Sequence, residues 1–248
     1  MSELEIDAVV FDVLGTLVDE PAGLRAGIRA LDRSLDDAGT ERLLSLWQRH
    51  IEREQRRIVD GERPYATTDT LDREAARLVA DAAGIGDQGG GAGETDDEEA
   101  DFPAAVATLA PAGRRLPPWP DTVAGLARLA ERFPLIGLSN ASRTALLALN
   151  AHAGLRWHQA LSAEDTRTYK PDPAVYQLAV TVSGRPPERL LMVATHAWDL
   201  RAAQHHGLRT AYVSRPVGDP PAPSDRFDLY ADDLADLAAQ LGTLRGTT

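Results

Sequence analysis

The chain has 248 residues, 43% of them hydrophobic, and it carries a formal net charge of −12 at pH 7. This length and composition are sufficient for a soluble core, in one large domain or in a domain with a smaller companion. Cysteine is absent, which excludes disulfide bonds, thiolate metal sites and cysteine nucleophiles. The acidic balance leaves no basic stripe of the kind that nucleic-acid binding requires, so we expect no nucleic-acid partner.

The first five residues, Met-Ser-Glu-Leu-Glu, are acidic and lead directly into a short apolar stretch. A secretory signal would instead begin with a basic segment followed by a longer apolar one. No apolar run in the sequence approaches the roughly 20 residues that are needed to cross a bilayer. We therefore expect a cytoplasmic protein without a membrane partner, while a homodimer remains open.

The first third of the chain predicts one strand followed by helices. Residues 6–11 form an apolar run that favours a short buried strand, and residues 14–17 form a turn. Between Pro21 and Ala83, apolar residues recur at helical spacing, which predicts three helices, the last of them beginning near Asp69. The apolar positions of the first two helices are Leu24, Ile28, Leu31 and Leu35, and then Leu43, Leu44, Trp47 and Ile51.

Residues 84–101 are rich in glycine and then in acid, with six acidic residues between Glu94 and Asp101. Such a segment cannot bury enough apolar area to pack against a core. It therefore predicts a flexible loop, with a partner-binding loop as the alternative. A short helix is predicted around residues 104–109.

From Pro117 onward, helices and strands alternate. This rhythm predicts an α/β fold, with a Rossmann-like, doubly wound parallel sheet as its core. We expect the core to comprise residues 1–18 and 117–248, with residues 19–116 forming a helical cap inserted after strand one. The predicted helices span 122–132, 141–153, 172–183, 197–206 and 232–241, and the predicted strands span 135–138, 159–162, 190–193 and 210–213.

Polar residues with catalytic potential follow several of these strands. Asp12 follows the first strand, Ser139 and Asn140 follow the second, and Asp199 follows the strand at 190–193. In an open parallel sheet, functional sites form at the carboxyl ends of the strands. An aspartate that attacks, a lysine that balances its charge and hydroxyl or amide donors that aim it would form a nucleophilic site.

Lys170 is the only lysine among the 26 residues that are Lys or Arg. Lysine carries a compact charge on a flexible stem, whereas arginine is a planar fork, so the two are not interchangeable. Because the chain uses arginine at every other basic position, we interpret Lys170 as a site where a guanidinium does not fit. The alternative is an accident of composition.

Four segments resemble the sequence motifs of the haloacid dehalogenase superfamily. They are Phe-Asp-Val-Leu-Gly-Thr-Leu at 11–17, Leu-Ser-Asn at 138–140, Tyr-Lys-Pro-Asp-Pro at 169–173 and Ala-Trp-Asp at 197–199. Trp198 and Asp199, together with Tyr176 after the third segment, are most similar to the L-2-haloacid dehalogenase (type II) branch. That resemblance implies the hydrolysis of a small 2-haloacid to a 2-hydroxyacid, with no metal and no other cofactor.

The same resemblance implies a role for each matching residue. Asp12 attacks C2 of the organic acid and displaces halide with inversion, and water then hydrolyses the aspartyl ester. By the same resemblance, Thr16, Ser139 and Asn140 position the nucleophile or bind the substrate carboxylate, and Lys170 pairs with Asp12. Tyr176 and Asp199 orient Lys170 and the water, and Trp198 lines the pocket.

Two other functions remain open. Phosphatases of this superfamily carry a second aspartate two positions after the nucleophile, where this chain has Leu14. They also hold Mg²⁺ with carboxylates, and the position four before Asp199 is Thr195. Both differences favour a dehalogenase over a phosphatase of small phosphate esters. Alternatively, Leu14 simply packs in the core of a catalytically silent relative that binds or regulates.

Several positions depart from the dehalogenase pattern. Gln48 stands where that branch commonly has an arginine that receives halide, and Arg49 is about 100° further around the helix. His196 stands in place of asparagine, as a base for ester hydrolysis or as a hydrogen-bond donor. Leu14 replaces a residue that is often aromatic, and Ala194 one that is often serine. The substrate and leaving group therefore stay open, with ring opening of a small strained acid as a variant.

Overall fold

The computed structural model describes residues 4–85 and 96–244. Its centre is a six-stranded sheet in which every neighbouring pair of strands is parallel. The strand order is β3-β2-β1-β4-β5-β6, so β1 lies between β2 and β4. The strands are β1 (Ala8–Phe11), β2 (Leu135–Ser139), β3 (Gln159–Ser162), β4 (Leu190–Ala194), β5 (Arg209–Val213) and β6 (Leu229–Ala231).

Helices connect these strands and fill the long interval between β1 and β2. Short 3₁₀ turns occupy Ala110–Arg115, Ala163–Thr166 and Pro187–Arg189. The α-helices are α1 (Glu20–Leu31), α2 (Asp37–Val59), α3 (Thr68–Ala82), α4 (Asp96–Leu109), α5 (Thr122–Ala130), α6 (Arg143–Ala153), α7 (Pro173–Ser183), α8 (Ala197–His205) and α9 (Leu234–Leu244).

The sheet is covered on both faces, which is why its central strands are apolar throughout. In β1, Val9 and Phe11 belong to one hydrophobic cluster and Ala8 and Val10 to another, as the two-residue period of a strand requires. Helices α5, α6 and α9 contribute to the first cluster, and α7 and α8 to the second. The doubly wound parallel sheet predicted from the sequence is therefore confirmed.

A third hydrophobic cluster joins α1, α2, α3 and α4 and is distinct from the two that cover the sheet. Trp47, Leu71 and Val79 illustrate the division, since Trp47 and Val79 lie in this third cluster and Leu71 packs with the sheet cluster. We infer from this separate packing that helices α1 to α4 form the cap. The proposed boundaries near residues 18 and 117 lie just outside α1 and the 3₁₀ turn at 110–115.

Three local predictions differ from the structure. α1 ends at Leu31, so Leu35 lies in the connection to α2 rather than on the first helix. The loop expected over 84–101 is wrong for Asp96–Asp101, which belong to α4, and residues 86–95 lie outside the described part of the chain. β6 was not predicted because it has only three residues and only one of them, Ala231, is buried.

The register of the sheet brings the polar loops together. Phe11 pairs with Gly137 on one side and with Val193 on the other. The residues that follow these strands therefore emerge at the same edge of the sheet. Within residues 4–85 and 96–244, no helix is both long enough and apolar enough to span a membrane.

Candidate active site

Asp12 lies directly after β1, where the sheet edge and the cap meet. The residue is 7% exposed, and its backbone N–H donates to the carbonyl of Val193 at 3.0 Å. Its side-chain oxygen Oδ1 accepts a hydrogen bond from Nζ of Lys170 at 2.9 Å, and Oδ2 accepts one from Oγ1 of Thr16 at 2.7 Å. The carboxylate is thus held by one donor on each oxygen, which fixes its direction.

Lys170 is buried between two carboxylates. Its Nζ lies 2.9 Å from Oδ1 of Asp12 and 2.7 Å from Oδ2 of Asp199. Burial by itself favours the neutral amine, but the two carboxylates outweigh it and raise the pKa of Lys170 above its usual value. The backbone N–H of Lys170 donates to Oδ1 of Asn140 at 2.8 Å, so the loop that carries the lysine is tied to the end of β2.

Asp199 is fully buried on the first turn of α8. Its Oδ1 accepts a hydrogen bond from the hydroxyl of Tyr176 at 2.6 Å, and its Oδ2 faces Lys170. Burial, together with the nearby charge of Asp12, raises the pKa of Asp199 despite the opposing effects of Lys170 and Tyr176. Burial and the charge of Asp199 likewise raise the pKa of Tyr176, which keeps its hydroxyl a donor. The single positive charge of Lys170 therefore balances only part of the negative charge of Asp12 and Asp199.

Ser139 and Asn140 end β2 beside this group. Ser139 is completely buried, and its Oγ accepts a hydrogen bond from the backbone N–H of Ala141 at 3.1 Å, which closes the turn into α6. Asn140 spans the boundary with the cap, because its Nδ2 donates to Oε1 of Gln55 on α2 at 3.2 Å. The structure thus places both residues at the predicted sheet edge, Ser139 in a turn and Asn140 between core and cap.

His196 lies beside Leu14 and Trp198, near the oxygen of Asp12 that does not contact Lys170. Nε2 of His196 is 3.2 Å from the carbonyl oxygen of Leu14 and 4.0 Å from Oδ2 of Asp12. The indole ring of Trp198 lies 5.9 Å from the imidazole, measured between ring centroids, and Trp198 is 38% exposed. Trp198 is therefore partly exposed beside His196 rather than buried within the site.

Gln48 and Arg49 occupy different faces of α2. Gln48 is half-buried and Arg49 is exposed. Gln48 precedes Gln55 by seven residues, which places the two on nearly the same helical face, about 10 Å apart along the axis. Since Gln55 contacts Asn140, Gln48 belongs to the α2 face that looks toward the core, whereas Arg49 does not.

Three contacts of the loop after Asp12 could not be predicted from the sequence. The carbonyl of Gly15 accepts from Nε1 of Trp119 at 2.8 Å, and the carbonyl of Thr16 accepts from Nε of Arg215 at 2.9 Å. Oγ1 of Thr16 accepts from the backbone N–H of Thr195 at 3.0 Å. The loop after Asp12 is therefore fixed from several sides, by residues that are more than 100 positions away and could not be paired from one sequence.

Glu20 is a further group that the motifs did not reveal. It is the first residue of α1, which begins eight residues after Asp12. Burial raises the pKa of Glu20 to about 7; His196 opposes this rise, while the charges of Asp12 and Glu52 add to it. A carboxyl group with a pKa of about 7 thus lies within electrostatic reach of Asp12. The signal available in the sequence was an acidic residue at the start of the first cap helix.

The oxygens that a hard cation would use in this site are already engaged. Carboxylate and carbonyl oxygens are the usual ligands of Mg²⁺. Here the carbonyl of Leu14 faces the imidazole of His196, and both oxygens of Asp12 accept hydrogen bonds from Lys170 and Thr16. Across the described residues, no group of three or more His, Cys, Asp and Glu side chains is arranged to hold a metal ion. The donor set does not fit a resident divalent cation.

Comparison with known proteins identifies relatives along most of the chain. The chain is 29% identical to the (S)-2-haloacid dehalogenase H-109 of Pseudomonas putida, covering 85% of this chain and 86% of that protein. It is 32% identical to the (S)-2-haloacid dehalogenase of Xanthobacter autotrophicus, covering 85% and 76%, respectively.

Solved structures agree with these relatives. The L-2-haloacid dehalogenase PA0810 superimposes with a TM-score of 0.81 at 32% identity, covering 96% of this chain and 99% of that one. The Xanthobacter autotrophicus enzyme with chloropropionic acid covalently bound superimposes with a TM-score of 0.75 at 27% identity, covering 98% and 100%. The model of the haloacid dehalogenase-like hydrolase family matches residues 6–207. The resemblance seen in the four motifs is confirmed, and the chain belongs to the haloacid dehalogenase-like hydrolase family.

Proposed function

We propose that the protein hydrolyses a small 2-haloacid to the corresponding 2-hydroxyacid through an ester on Asp12. The observation that carries this proposal is the carboxylate of Asp12 at the end of β1, held by Lys170 on Oδ1 and by Thr16 on Oδ2. Position 14, where a second acid would serve phosphoryl transfer, is the apolar Leu14. The site thus suits a carboxylate nucleophile and lacks the second acid two positions after it.

The relatives support an (S)-configured substrate. Those with 29% and 32% identity are named (S)-2-haloacid dehalogenases, and the related Xanthobacter autotrophicus structure contains covalently bound chloropropionic acid. We therefore propose (S)-2-chloropropionate as a test substrate for this chain. The substrate would enter past Trp198, which is exposed beside His196.

In the first step, an oxygen of Asp12 forms a bond to C2 of the haloacid. The bond between C2 and the halogen breaks at the same time, and halide leaves with the bonding electron pair. Attack from the side opposite to the halogen inverts C2. Thr16 and Lys170 contribute by holding the carboxylate in one direction, which limits the rotational freedom that is lost on reaching the transition state.

In the second step, the oxygen of a water molecule adds to Cγ of the Asp12 ester. The bond from Cγ to the ester oxygen then breaks, and the 2-hydroxyacid leaves with one proton of the water. The second proton is released when Asp12 returns to its carboxylate form. Lys170, held by Asp199, is placed to stabilise the oxygen that becomes negative during this addition.

Gln48 is the group we propose for contacting the substrate from the cap. It lies on the core-facing side of α2 and offers amide donors, whereas Arg49 on the adjoining face is exposed. An amide binds an anion less strongly than a guanidinium does, because it lacks the charge. The proposal therefore includes weak binding of halide or of the substrate carboxylate at Gln48.

The test compares halide release from (S)- and (R)-2-chloropropionate with phosphate release from p-nitrophenyl phosphate in Mg²⁺. We expect chloride from the (S)-acid, none from the phosphate ester, and the same rate after treatment with EDTA. A reaction run with excess enzyme in H₂¹⁸O should yield a 2-hydroxyacid without label and leave ¹⁸O in Asp12. Phosphate release that EDTA abolishes and Mg²⁺ restores would instead identify a phosphatase. If neither halide nor phosphate is released, the chain is a silent relative.

A further inference from the structure

The start of α3 contacts the core at the turn that carries Asn140. Oγ1 of Thr68 accepts a hydrogen bond from the backbone N–H of Ser142 at 2.7 Å, and Oδ2 of Asp69 accepts one from Oγ of Ser142 at 2.9 Å. Ser142 is 1% exposed and Thr68 is 6% exposed. Both contacts are shielded from water, and the one to Asp69 is made to a charged oxygen, which strengthens it. The turn after β2 is therefore fixed to the cap two residues beyond Asn140.

The residue before Lys170 is bound by the same part of the cap. The hydroxyl of Tyr169 donates to the carbonyl of Ala66 at 2.6 Å, and Tyr169 is fully buried. The ring of Tyr65 packs beside it, with 5.6 Å between the ring centroids. Residues 66–69, which we call the docking segment, thus contact the core at the turn after β2 and also beside the loop that carries the lysine.

These two parts of the core are joined to each other inside the site. The backbone N–H of Lys170 donates to Oδ1 of Asn140 at 2.8 Å, and Nδ2 of Asn140 donates to Oε1 of Gln55 at 3.2 Å. The Nζ of Lys170 in turn contacts Oδ1 of Asp12. A shift of the turn would move Asn140, and with it the loop that places Lys170 against the nucleophile.

Asp69 is itself held in the orientation that this contact needs. Its Oδ1 accepts from Nη2 of Arg114 at 2.9 Å, which leaves Oδ2 for Ser142. A serine hydroxyl has one hydrogen to donate and can also accept. Oγ of Ser142 accepts from the backbone N–H of Ala145 at 3.1 Å and so caps α6. The hydroxyl therefore connects a carboxylate of the cap to the first turn of a core helix.

We propose that the docking segment positions the core loops that carry Asn140 and Lys170, and that Asp69 is its positioning residue. The observation that carries this proposal is the pair of hydrogen bonds by which Thr68 and Asp69 hold Ser142. The effect on turnover rests on the proposed dehalogenase reaction. The effect on the backbone of Lys170 does not depend on it.

The contribution to turnover should appear in kcat. Asp69 acts through the two loops on Lys170, and Lys170 holds the carboxylate of Asp12 for attack. A misplacement of about 1 Å in such a group can cost about 10²-fold in rate. A loss of alignment that matters only in the transition state lowers kcat and kcat/KM equally and leaves KM unchanged.

The first test uses the single lysine as a probe that needs no substrate. Protein labelled with ¹⁵N-lysine has one backbone amide signal, because Lys170 is the only lysine. In Asp69→Ala this signal should shift, and its hydrogen exchange should become about tenfold faster, the effect of losing one hydrogen bond. Circular dichroism verifies that the variant is folded. An unchanged signal with unchanged exchange would overturn the proposal, whether or not the protein releases halide.

The matched control is Asp36→Ala, which weakens the cap away from the docking segment. Asp36 is exposed, and its Oδ1 caps α2 by accepting from the N–H of Gly39 at 2.6 Å. This variant loses a cap interaction of similar kind, so a general loss of cap stability would act on it as well. The Lys170 signal should keep its position and its exchange rate in Asp36→Ala. Equal changes in both variants would contradict a positioning role for Asp69.

The second test asks whether Asp69 acts through Ser142. Ser142→Ala removes the hydroxyl that Asp69 holds, and the double variant removes both partners. Two residues that share one interaction are not additive. Exchange of the Lys170 amide in the double variant should therefore be no faster than in the faster single variant. Accelerations that multiply in the double variant would contradict this route.

The third test measures turnover with (S)-2-chloropropionate, with rates corrected for the folded fraction. Asp69→Ala should lower kcat about tenfold and change KM by less than about twofold, while Asp36→Ala should keep wild-type values. A wild-type kcat in Asp69→Ala would contradict the positioning role. Absence of chloride from wild-type protein would contradict the proposed function, and the Lys170 signal would then decide the positioning role alone.

Discussion

Nζ of Lys170 lies 2.9 Å from Oδ1 of Asp12, although 158 residues separate them in the chain. The same ammonium lies 2.7 Å from Oδ2 of Asp199, so it donates one hydrogen bond to each of two carboxylates in a buried space. A guanidinium is larger and binds carboxylates in a bidentate manner, which would engage both oxygens of Asp12. The single lysine of this chain thus stands where the geometry calls for an ammonium.

We therefore predict that Lys170→Arg reduces turnover nearly as much as Lys170→Ala does. Either change should lower kcat by a factor on the order of 10²–10³, about 2.7–4 kcal/mol in the barrier. The measurement is steady-state chloride release, with circular dichroism to verify the fold. Near-wild-type turnover in Lys170→Arg would mean that only a positive charge is needed.

Asp12→Asn should abolish turnover and leave the fold intact. The amide is isosteric with the carboxylate and can still accept from Thr16, but it is not a nucleophile. Halide release should fall below a tenth of the wild-type rate, measured within minutes of mixing because slow deamidation could restore the acid. A variant that retains more than that fraction, with an unchanged mass at Asp12, would rule out Asp12 as the nucleophile.

The raised pKa of Glu20 predicts that the free energy of unfolding decreases as the pH rises. Its pKa rises from 4.5 to about 7 on folding, so between these values the folded state binds more protons than the unfolded state. The protonated form of Glu20 therefore makes its full contribution to the free energy of unfolding below pH 4.5. This contribution is lost as the pH rises through 7. The full shift corresponds to about 3 kcal/mol, and because Glu20 is only half-buried we expect about 1–2 kcal/mol.

Urea unfolding at pH 5 and pH 8 measures this effect. Glu20→Gln should gain stability relative to the wild type, and the gain should be larger at pH 8. The control is Glu188→Gln, which changes an exposed glutamate away from the site, and its effect should be the same at both pH values. An equal effect of Glu20→Gln at both pH values would contradict the predicted shift.

The sequence identified the parts of the site that belong to local motifs. Asp12, Lys170 and Asp199 each follow a strand or open a helix, and the alternation of strands and helices placed them at one sheet edge. Gln55 could not be found in this way, because its contact with Asn140 joins residues 85 positions apart across the cap boundary. Arg215 was hidden for a similar reason, since its contact with the carbonyl of Thr16 joins residues 199 positions apart.

In the fold, too, the sequence predicted the elements that have a local apolar pattern and not those that lack one. The core strands were predictable because buried parallel strands are short apolar runs flanked by helices. β6 was not predicted because Tyr230 is exposed and the strand has only three residues. α4 extends to Asp96 through acidic residues that carry no apolar period, so composition alone indicated a loop there.

The last prediction concerns Arg215, which supports the loop after Asp12. Its side chain is 5% exposed, and its Nε donates to the carbonyl of Thr16 at 2.9 Å. Its two terminal nitrogens donate to the two oxygens of Asp121 at 2.8 and 3.0 Å. Asp121 in turn accepts from the N–H of Leu234 at the start of α9. One guanidinium thus links the loop after Asp12 to two helices.

Arg215→Lys should therefore destabilise the protein although the charge is kept. An ammonium cannot reach the carbonyl of Thr16 and both oxygens of Asp121 in the same fork geometry. Removing a partner from a buried pair costs about 3–5 kcal/mol, and because lysine retains part of the interaction we expect about 1–3 kcal/mol in urea unfolding. Chloride release should also slow, since the loop that positions Thr16 loosens. The matched control is Arg226→Lys, whose exposed side chain contacts only carbonyls of its own loop and should change neither quantity; an equal loss in both variants would show that Arg215 has no special role.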